Sequence, residues 1–192
     1  FQSNIKWLQL LEVGIGDKQA EILSYYLQNK NSIERLILTS NNIRSIGGKS
    51  LGLALSAQSR LEYLDISDNP LADEGVAFIG KGLINNKFLR TLKLCACEIA
   101  DAGAKSLSDG LKQNSVLQIL TLNRNKIGDK GAKSISEALK INTGLDNIEL
   151  NYNLIQTIGA LSFIEAFKLN KTLSVAEIID NNIGEFGKTS LS

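Results

Sequence analysis

The chain has 192 residues, of which 43% are apolar, and its 21 basic and 20 acidic side chains leave a net charge of +1. This composition can bury a sizeable core, and the balanced charge gives no general attraction to nucleic acid or to an anionic membrane surface. The absence of histidine excludes Ser-His-Asp and Cys-His catalysis, and histidine-based zinc sites, within this chain. No apolar run reaches the roughly 18–20 residues that span a bilayer, so we expect no membrane helix.

Both ends of the sequence resemble truncation points. The opening letters FQSN resemble the remnant of a cleaved expression tag, so residues 1–4 are set aside, and the chain stops abruptly at TSLS. We therefore expect residues 5–192 to form one domain that is truncated at both ends. No signal peptide is recognisable, and two cysteines cannot build a disulfide framework, which favours a reducing compartment.

A repeat with a period of 28 residues organises the sequence. Rows of 28 residues align without insertion or deletion, so that six are complete and a seventh breaks off after 20 residues. The rows begin at Ile5, Ile33, Leu61, Leu89, Leu117, Leu145 and Leu173. A position within a row is called a column below, because each column keeps its chemical character from row to row.

Each row opens with a short strand. The fourth and sixth columns are apolar throughout, as in Leu64 and Ile66 or Leu120 and Leu122, and this alternation predicts a strand with one buried face. A second core layer is expected in the eleventh column. It consists of Ile15, Ile43, Leu71, Ile99, Ile127, Ile155 and Ile183.

A helix follows the strand in each row. The thirteenth column offers side chains that favour helix N-caps in six of seven rows, so we expect them to cap the helices of their own rows. These residues are Asp17, Ser45, Asp73, Asp101, Asp129, Thr157 and Glu185. Two positions later every row but the first has glycine, which predicts a tightly packed first helical turn, and apolar or small residues then recur at helical spacing.

A unit of strand, turn, helix and return loop cannot bury its own apolar face, so the units must stack. Stacking places parallel strands on one side and helices on the other. Because helices are about 10 Å wide and strands lie about 4.8 Å apart, the stack curves with the strands on its inner face. The sequence thus predicts an α/β solenoid, a horseshoe of about seven 28-residue repeats, with a parallel sheet on the concave face and helices on the convex face.

The pattern LxxLxLxxNxI, seen in LQILTLNRNKI, resembles the leucine-rich repeats of the ribonuclease-inhibitor type when it is combined with the 28-residue period and a helix in every row. The resemblance covers essentially all of residues 5–192. Similar repeats occur in Nod-like receptors, in Ran GTPase-activating proteins and in effectors secreted by intracellular bacteria. In this repeat class the ninth column is Asn or Cys, whose polar group bonds the backbone of adjacent turns.

The two cysteines, Cys95 and Cys97, fall in different columns. Cys97 occupies the ninth column, where the other rows from the second onward carry Asn, so we expect it to fill a rung of a buried ladder. Cys95 lies in the seventh column and is expected to face the concave surface, where a redox role stays open. A metal site would need further Cys or His ligands that the sequence lacks, so we expect no metal and no cofactor.

Two short motifs are explained by the repeat. The letters IGGKS at residues 46–50 resemble the end of a phosphate-binding loop, but Ile43 stands where that motif needs its first glycine. The glycosylation sequon Asn170-Lys171-Thr172 falls in a return loop, and nothing else suggests secretion. Neither motif predicts a site.

The exposed strand columns carry the candidate partner-binding residues. Columns three, five, seven and eight are expected to face the concavity, where six acidic and three basic side chains make the surface mildly acidic. Aromatic residues on this face are expected to anchor a partner, since aromatic side chains are enriched in interfaces. The candidate contact residues are Trp7, Arg35, Tyr63, Asp65, Asp68, Lys93, Arg124, Glu149, Tyr152 and Glu177.

Two kinds of function fit this reading. The first is a non-catalytic module that binds a protein partner, as in a bacterial effector acting on a host protein, which would place it in the cytoplasm or the host-cell interior. The second, implied by the resemblance, is a GTPase-activating protein of the Ran type, with Arg35 and Arg124 as the exposed arginines of the inner face, or the sensor repeats of a Nod-like receptor. We expect no enzyme activity, no nucleic acid or membrane partner, and a monomer whose exposed edge strands can make end-to-end contacts in a crystal.

Overall fold

The computed structural model describes residues 4–29, 32–57 and 60–191, in which short strands and helices alternate as predicted. The strands are β1 (Trp7–Gln9), β2 (Arg35–Ile37), β3 (Tyr63–Asp65), β4 (Thr91–Lys93), β5 (Ile119–Thr121), β6 (Asn147–Glu149) and β7 (Val175–Glu177). The helices are α1 (Asp17–Asn29), α2 (Ser45–Ser56), α3 (Ala72–Asn85), α4 (Asp101–Leu111), α5 (Asp129–Leu139), α6 (Thr157–Leu169) and α7 (Gly184–Leu191). Among these described residues, no helix combines the length and the apolar character needed to cross a bilayer. Residues 1–3, which make up most of the expected tag remnant, lie outside the described residues.

The strands form one parallel sheet in sequence order, from β1 to β7. Each strand residue pairs with the residue 28 positions further along the chain, as Leu36 does with Leu64 and Leu64 with Leu92. Parallel neighbours need a crossover connection, and here each crossover contains one helix. Because the offset between paired residues equals the sequence period, each row makes one turn of the predicted α/β solenoid.

The core lies between the sheet and the helices. In the middle rows the fourth, sixth and eleventh columns are fully buried, as Leu92, Leu94 and Ile99 show. The inner side of each helix closes the layer with residues such as Leu107. The layer is thinner at the two ends of the stack, where Leu8 is half-buried and Ala176 is exposed. The predicted core columns are therefore confirmed, with their burial greatest where a row has neighbours on both sides.

The aspartates of the thirteenth column do not cap the helices of their own rows, which corrects the expectation from the sequence. The Oδ1 atom of Asp101 instead accepts the backbone N–H groups of Gly128 and Gly131 in the next row, both at 2.8 Å. Asp17 and Asp129 form the same pair of bonds to the rows that follow them. The reason is positional: a cap must precede the first helical residue. Asp17, Asp101 and Asp129 are themselves the first residues of their helices, and Asp73 is the second residue of α3.

This contact also accounts for the glycine two positions further on. A Cβ atom on Gly131 would lie 2.8 Å from Oδ1 of Asp101, and one on Gly159 would overlap Oδ1 of Asp129. The predicted tight packing of the first helical turn is confirmed, and its cause is the carboxylate of the preceding row. In the first row Gln19 stands in place of the glycine, and its own Oε1 atom accepts the N–H of Gly16 at 3.1 Å.

A ladder of side chains in the ninth column ties successive rows together. Nδ2 of Asn125 donates to the carbonyl oxygen of Leu94 in the preceding row at 2.8 Å, and its Oδ1 accepts the N–H of Ile99 at 3.0 Å. Cys97 fills the equivalent rung one row earlier, as predicted, with its buried thiol donating to the carbonyl oxygen of Ile66 at 3.3 Å. The ladder satisfies backbone groups at the point where strand pairing has ended.

Cys97 replaces only the donor half of an asparagine rung. A thiol has no amide oxygen to receive the N–H of Leu71, and this N–H bonds the carbonyl oxygen of Asn69 at 2.8 Å instead. Burial raises the pKa of the Cys97 thiol and keeps it protonated. Because the thiolate is the reactive and metal-binding form of cysteine, Cys97 has a structural role.

A second ladder, which was not predicted from the sequence, runs along the return loops. Nδ2 of Asn142 donates to the carbonyl oxygens of Leu111 and Asn114, both at 2.7 Å. Asn170, from the sequon, has the same role, since its amide donates to the carbonyl oxygens of Leu139 and Asn142. The equivalent positions are Asn86, Asn114, Asn142 and Asn170. The amide that a glycan would occupy is therefore engaged in the fold.

Candidate protein-binding face

The side of the sheet that faces away from the helices is called the concave face below. Its strand positions are columns three and five, whose side chains alternate with the buried fourth column, and columns seven and eight extend it beyond the strands. Ser67 and Thr121 are buried by their neighbours, whereas the candidate contact residues are half-buried or exposed. Trp7 and Tyr152 are the most open aromatic side chains on this face, at 61% and 53% exposure.

The eighth column has a backbone conformation that the sequence did not signal. Its φ angles lie between 50° and 57° in Glu12, Ser40, Asp68, Ala96, Arg124, Tyr152 and Asp180. Residues other than glycine adopt this left-handed region only when the surrounding structure requires it. Here bonds between rows hold the turn, since the N–H of Arg124 donates to the carbonyl oxygen of Asn151 at 2.9 Å and that of Tyr152 to Ile179 at 3.0 Å. The turn leaves the side chains of Arg124 and Tyr152 exposed.

Four of the candidate residues come together across β1 to β4. The guanidinium carbon of Arg35 lies 3.6 Å from the centre of the Tyr63 ring and 5.3 Å from that of Trp7. Nζ of Lys93 lies 5.9 Å from the centre of the Tyr63 ring. The contact forms because Trp7, Arg35 and Tyr63 occupy one column of adjacent strands, about 4.8 Å apart, where a cation can lie over an aromatic face. These residues are called the aromatic-basic cluster below: Trp7, Arg35, Tyr63 and Lys93.

The other end of the concave face carries carboxylates that are held by asparagines. Nδ2 of Asn123 donates to Oε2 of Glu149, and Nδ2 of Asn151 donates to Oε2 of Glu177, both at 2.7 Å. Each asparagine is fixed in turn, because its Oδ1 accepts a backbone N–H from the next row, as Asn151 does from Ile179 at 2.7 Å. Glu149 and Glu177 pair in register on β6 and β7, so their half-buried carboxylates are neighbours. Together they are called the carboxylate pair below.

A third group joins three rows in the eighth column. The guanidinium carbon of Arg124 lies 5.6 Å from the centre of the Tyr152 ring. The neighbouring carboxylate of Asp180 raises the pKa of Tyr152 above its ordinary value. Asp180 was not among the candidate contact residues, and neither were Asn123 and Asn151. A search for polar pairs 26 residues apart, the separation of each asparagine from its glutamate, would have found the two asparagines.

The remaining candidates and the second cysteine lie apart from these groups. Oδ1 of Asp65 accepts the N–H of Ser67 at 3.1 Å, and Asp68 is exposed. Sγ of Cys95 lies 3.3 Å from Oγ1 of Thr121, which places Cys95 on the concave face as predicted. Across the ranges that the structure describes, no three His, Cys, Asp or Glu side chains are grouped in a way that could hold a metal ion.

Two polar atoms of the concave face are buried and have no hydrogen-bond partner within the described part of the chain. They are Nε of Arg35 and Oδ1 of Asn147, both in the third column. Neither Arg35 nor the carboxylate pair forms an ion pair with any other described residue. Unpaired buried polar groups cost free energy. Within the described residues, charged groups at both ends of this face therefore lack a partner of opposite charge.

Comparisons with known proteins agree with this architecture. A family model described as Leucine Rich repeat matches residues 29–52, 59–80, 85–108 and 113–136. The fold is similar to that of the leiomodin-1 actin-binding site 2, with a TM-score of 0.63 and 18% identity over 76% of this chain and 87% of that chain. It is also similar to an internalin from Listeria monocytogenes, with a TM-score of 0.50 and 21% identity over 86% of this chain and 47% of that chain. None of the curated proteins compared with the sequence matches it.

Each matched segment lies mainly in one row of the 28-residue repeat, from the second row to the fifth. Identities this low show the fold alone, and the ribonuclease-inhibitor type that the sequence resembles is not distinguished from other types by these matches. The repeat period, the parallel sheet with one helix in each crossover, and the family match together show that the chain folds as a leucine-rich repeat solenoid.

Proposed function

We propose that the chain is a non-catalytic interaction module that binds a protein partner through the concave face. The observation that carries this proposal is the placement of Arg35 between Trp7 and Tyr63. Aromatic and arginine side chains supply much of the binding energy in protein interfaces. The aromatic-basic cluster holds three of them in one arrangement before a partner arrives, which lowers the conformational entropy lost on binding.

The charges of the concave face support a protein surface as the partner. The carboxylate pair and Arg35 have no ion-pair partner among the described residues, so complementary side chains of another protein can pair with them. The structurally similar segment of leiomodin-1 is named as an actin-binding site, an example of a similar fold in a protein-binding role. Repeat solenoids offer extended concave surfaces for such binding.

The same side chains favour binding over the GTPase-activating role. A GTPase-activating protein acts by placing groups such as an arginine on the transition state of another protein. Arg35 and Arg124 each lie over an aromatic ring, at 3.6 Å from Tyr63 and 5.6 Å from Tyr152, which holds them on the face. We expect the chain to leave the rate of GTP hydrolysis unchanged when it is added to a panel of small GTPases.

Affinity capture with the tagged chain tests the proposal. Partners retained by the wild-type chain should be lost with Asp65→Lys or Glu149→Lys on the concave face. They should be retained with Glu21→Lys, a control at an exposed position of α1. Circular dichroism verifies that all three variants keep the fold. Partners that stay bound to both concave variants, but are released by Glu21→Lys, would locate the contact surface on the helices and contradict the proposal.

A further inference from the structure

The strand positions of the concave face are unevenly charged along the stack. In columns three and five, β1 to β4 carry two bases and one acid, Arg35, Lys93 and Asp65, for a net charge of +1. The same columns of β5 to β7 carry two acids and no base, Glu149 and Glu177, for a net charge of −2. A partner segment that crosses the strands therefore meets a basic, aromatic region at one end and an acidic region at the other.

The acidic end is arranged to accept hydrogen bonds. Asn123 donates a hydrogen bond to Oε2 of Glu149, and Asn151 donates one to Oε2 of Glu177. No described residue bonds the Oε1 atom of either glutamate. A set of acceptors without donors matches a guanidinium or ammonium group, and the planar fork of arginine fits carboxylates best.

The basic end has the opposite requirement. Arg35 is held by the rings of the strands on either side, and its guanidinium has no carboxylate of this chain as an ion-pair partner within the described residues. The acid nearest in the strand columns, Asp65, has Oδ1 engaged by the N–H of Ser67. Lys93 lies over the Tyr63 ring and adds a second positive charge. This end matches a carboxylate of the partner.

We propose that the concave face binds an extended segment of its protein partner, with a basic side chain of the segment over Glu149 and Glu177 and a carboxylate over Arg35. The inference rests on the proposed function and adds the chemistry of the partner. Arg35 on β2 and Glu149 on β6 are four strand positions apart in the sheet. At about 4.8 Å per strand this is about 19 Å, which an extended segment covers in about six residues at about 3.3 Å each.

A displayed library of random peptides, selected on the immobilised full chain, tests this proposal. Peptides of roughly twelve residues reach about 40 Å when extended, enough to cover both charged ends. Enriched peptides are expected to carry one acidic and one basic residue about six positions apart, in either order. Trp7 is the chain's single tryptophan and is 61% exposed, so its fluorescence reports on binding at the basic end in solution.

Variants of the chain and of the peptide then assign each charge to its site. The double variant Glu149→Gln and Glu177→Gln should weaken binding of a selected peptide by about ten-fold or more, as should Arg35→Gln. Replacing the basic residue of the peptide by alanine should weaken binding to the wild-type chain, but should weaken binding to the double variant far less, because the interaction is already lost. Glu21→Gln is the matched control and should leave the affinity unchanged.

The outcomes separate this inference from the function on which it rests. An enriched set without the acidic and basic pair, or no enriched peptide at all, overturns the inference, while capture of a folded partner still decides the concave binding mode. Peptides that bind the concave face but keep their affinity for Arg35→Gln and for the double variant also overturn the inference and leave the proposed function standing. Peptides that bind without any response of Trp7 fluorescence or of the concave variants also overturn the inference, and the capture experiment again decides the concave binding mode.

Discussion

Asp101→Ala should destabilise the row that follows the substituted residue more than the row that contains it. Oδ1 of Asp101 accepts the N–H groups of Gly128 and Gly131, both at 2.8 Å, at the beginning of α5. Removing the side-chain acceptor of a helix N-terminus costs about 0.5–2 kcal/mol. Because one carboxylate serves two N–H groups here, we expect a loss in the upper part of that range, about 1.5–2 kcal/mol.

Urea unfolding followed by circular dichroism measures this loss, and Asp109→Ala is the matched control on the same helix. Asp109 forms exposed ion pairs with Lys105 and Lys112, and such pairs contribute up to about 1 kcal/mol. Both variants introduce alanine into α4, so differences in helix propensity largely cancel. The free energy of unfolding should fall by about 1 kcal/mol more for Asp101→Ala than for Asp109→Ala.

Amide hydrogen exchange locates the loss within the stack. In Asp101→Ala the amides of Gly128 and Gly131 should exchange faster than in the wild-type chain, because their acceptor is gone. The amide of Ala100, which is bonded by Asp73 of the preceding row at 2.7 Å, should keep its protection. Equal losses of stability in Asp101→Ala and Asp109→Ala, or faster exchange at Ala100 with none at Gly128 and Gly131, would refute the cap between rows.

Further substitutions test the packing and the ladders. Asn125→Ala should lower the free energy of unfolding by about 3 kcal/mol or more, and Cys97→Ala should lower it by about 1–2 kcal/mol. The difference arises because the Asn125 amide bonds more backbone groups than the Cys97 thiol does. Equal losses for the two variants in urea unfolding would contradict this. Gly110→Ala should lower the free energy of unfolding by about 1–3 kcal/mol in the same assay, because the added Cβ would overlap the carbonyl oxygen of Gly80. Gly128→Ala should change it by less than about 0.5 kcal/mol, because the nearest atom to its Cβ would lie 3.4 Å away. Iodoacetamide should modify Cys95 in the folded chain and Cys97 only after unfolding, as mass spectrometry can show, because Cys97 is fully buried and burial raises its pKa.

The fold was predictable because one column has one environment in every row. The offset of 28 residues between Leu36 and Leu64 is both the sequence period and the register of the sheet, so finding the period also found the strand pairing. The partner of Asp101 was not predictable in this way. The repeat does not fix the first residue of a helix, and because α4 begins at Asp101 itself, the carboxylate caps the next helix and not its own. The left-handed turn of the eighth column also gave no signal, because no row has glycine or asparagine there.

The candidate site was predictable as a surface and only partly as a set of contacts. Arg35 meets Trp7 and Tyr63 because all three occupy the same column, so the 28-residue rows already made them neighbours. The bond from Asn123 to Glu149 joins the seventh column of one row to the fifth column of the next, and such a diagonal contact depends on side-chain conformations. The second asparagine ladder was missed for a similar reason, since polar residues are ordinary in return loops and only the distances reveal their shared role.

The most direct test of the concave face is a nuclear magnetic resonance titration of the isotope-labelled chain with the partner that affinity capture identifies. We expect the amide shifts of strand residues to change most, with Trp7 among the first side chains to respond. These strand residues include Arg35, Tyr63, Glu149 and Glu177. Shift changes confined to exposed helix residues such as Glu21 and Lys133, with the strands unaffected, would contradict this expectation.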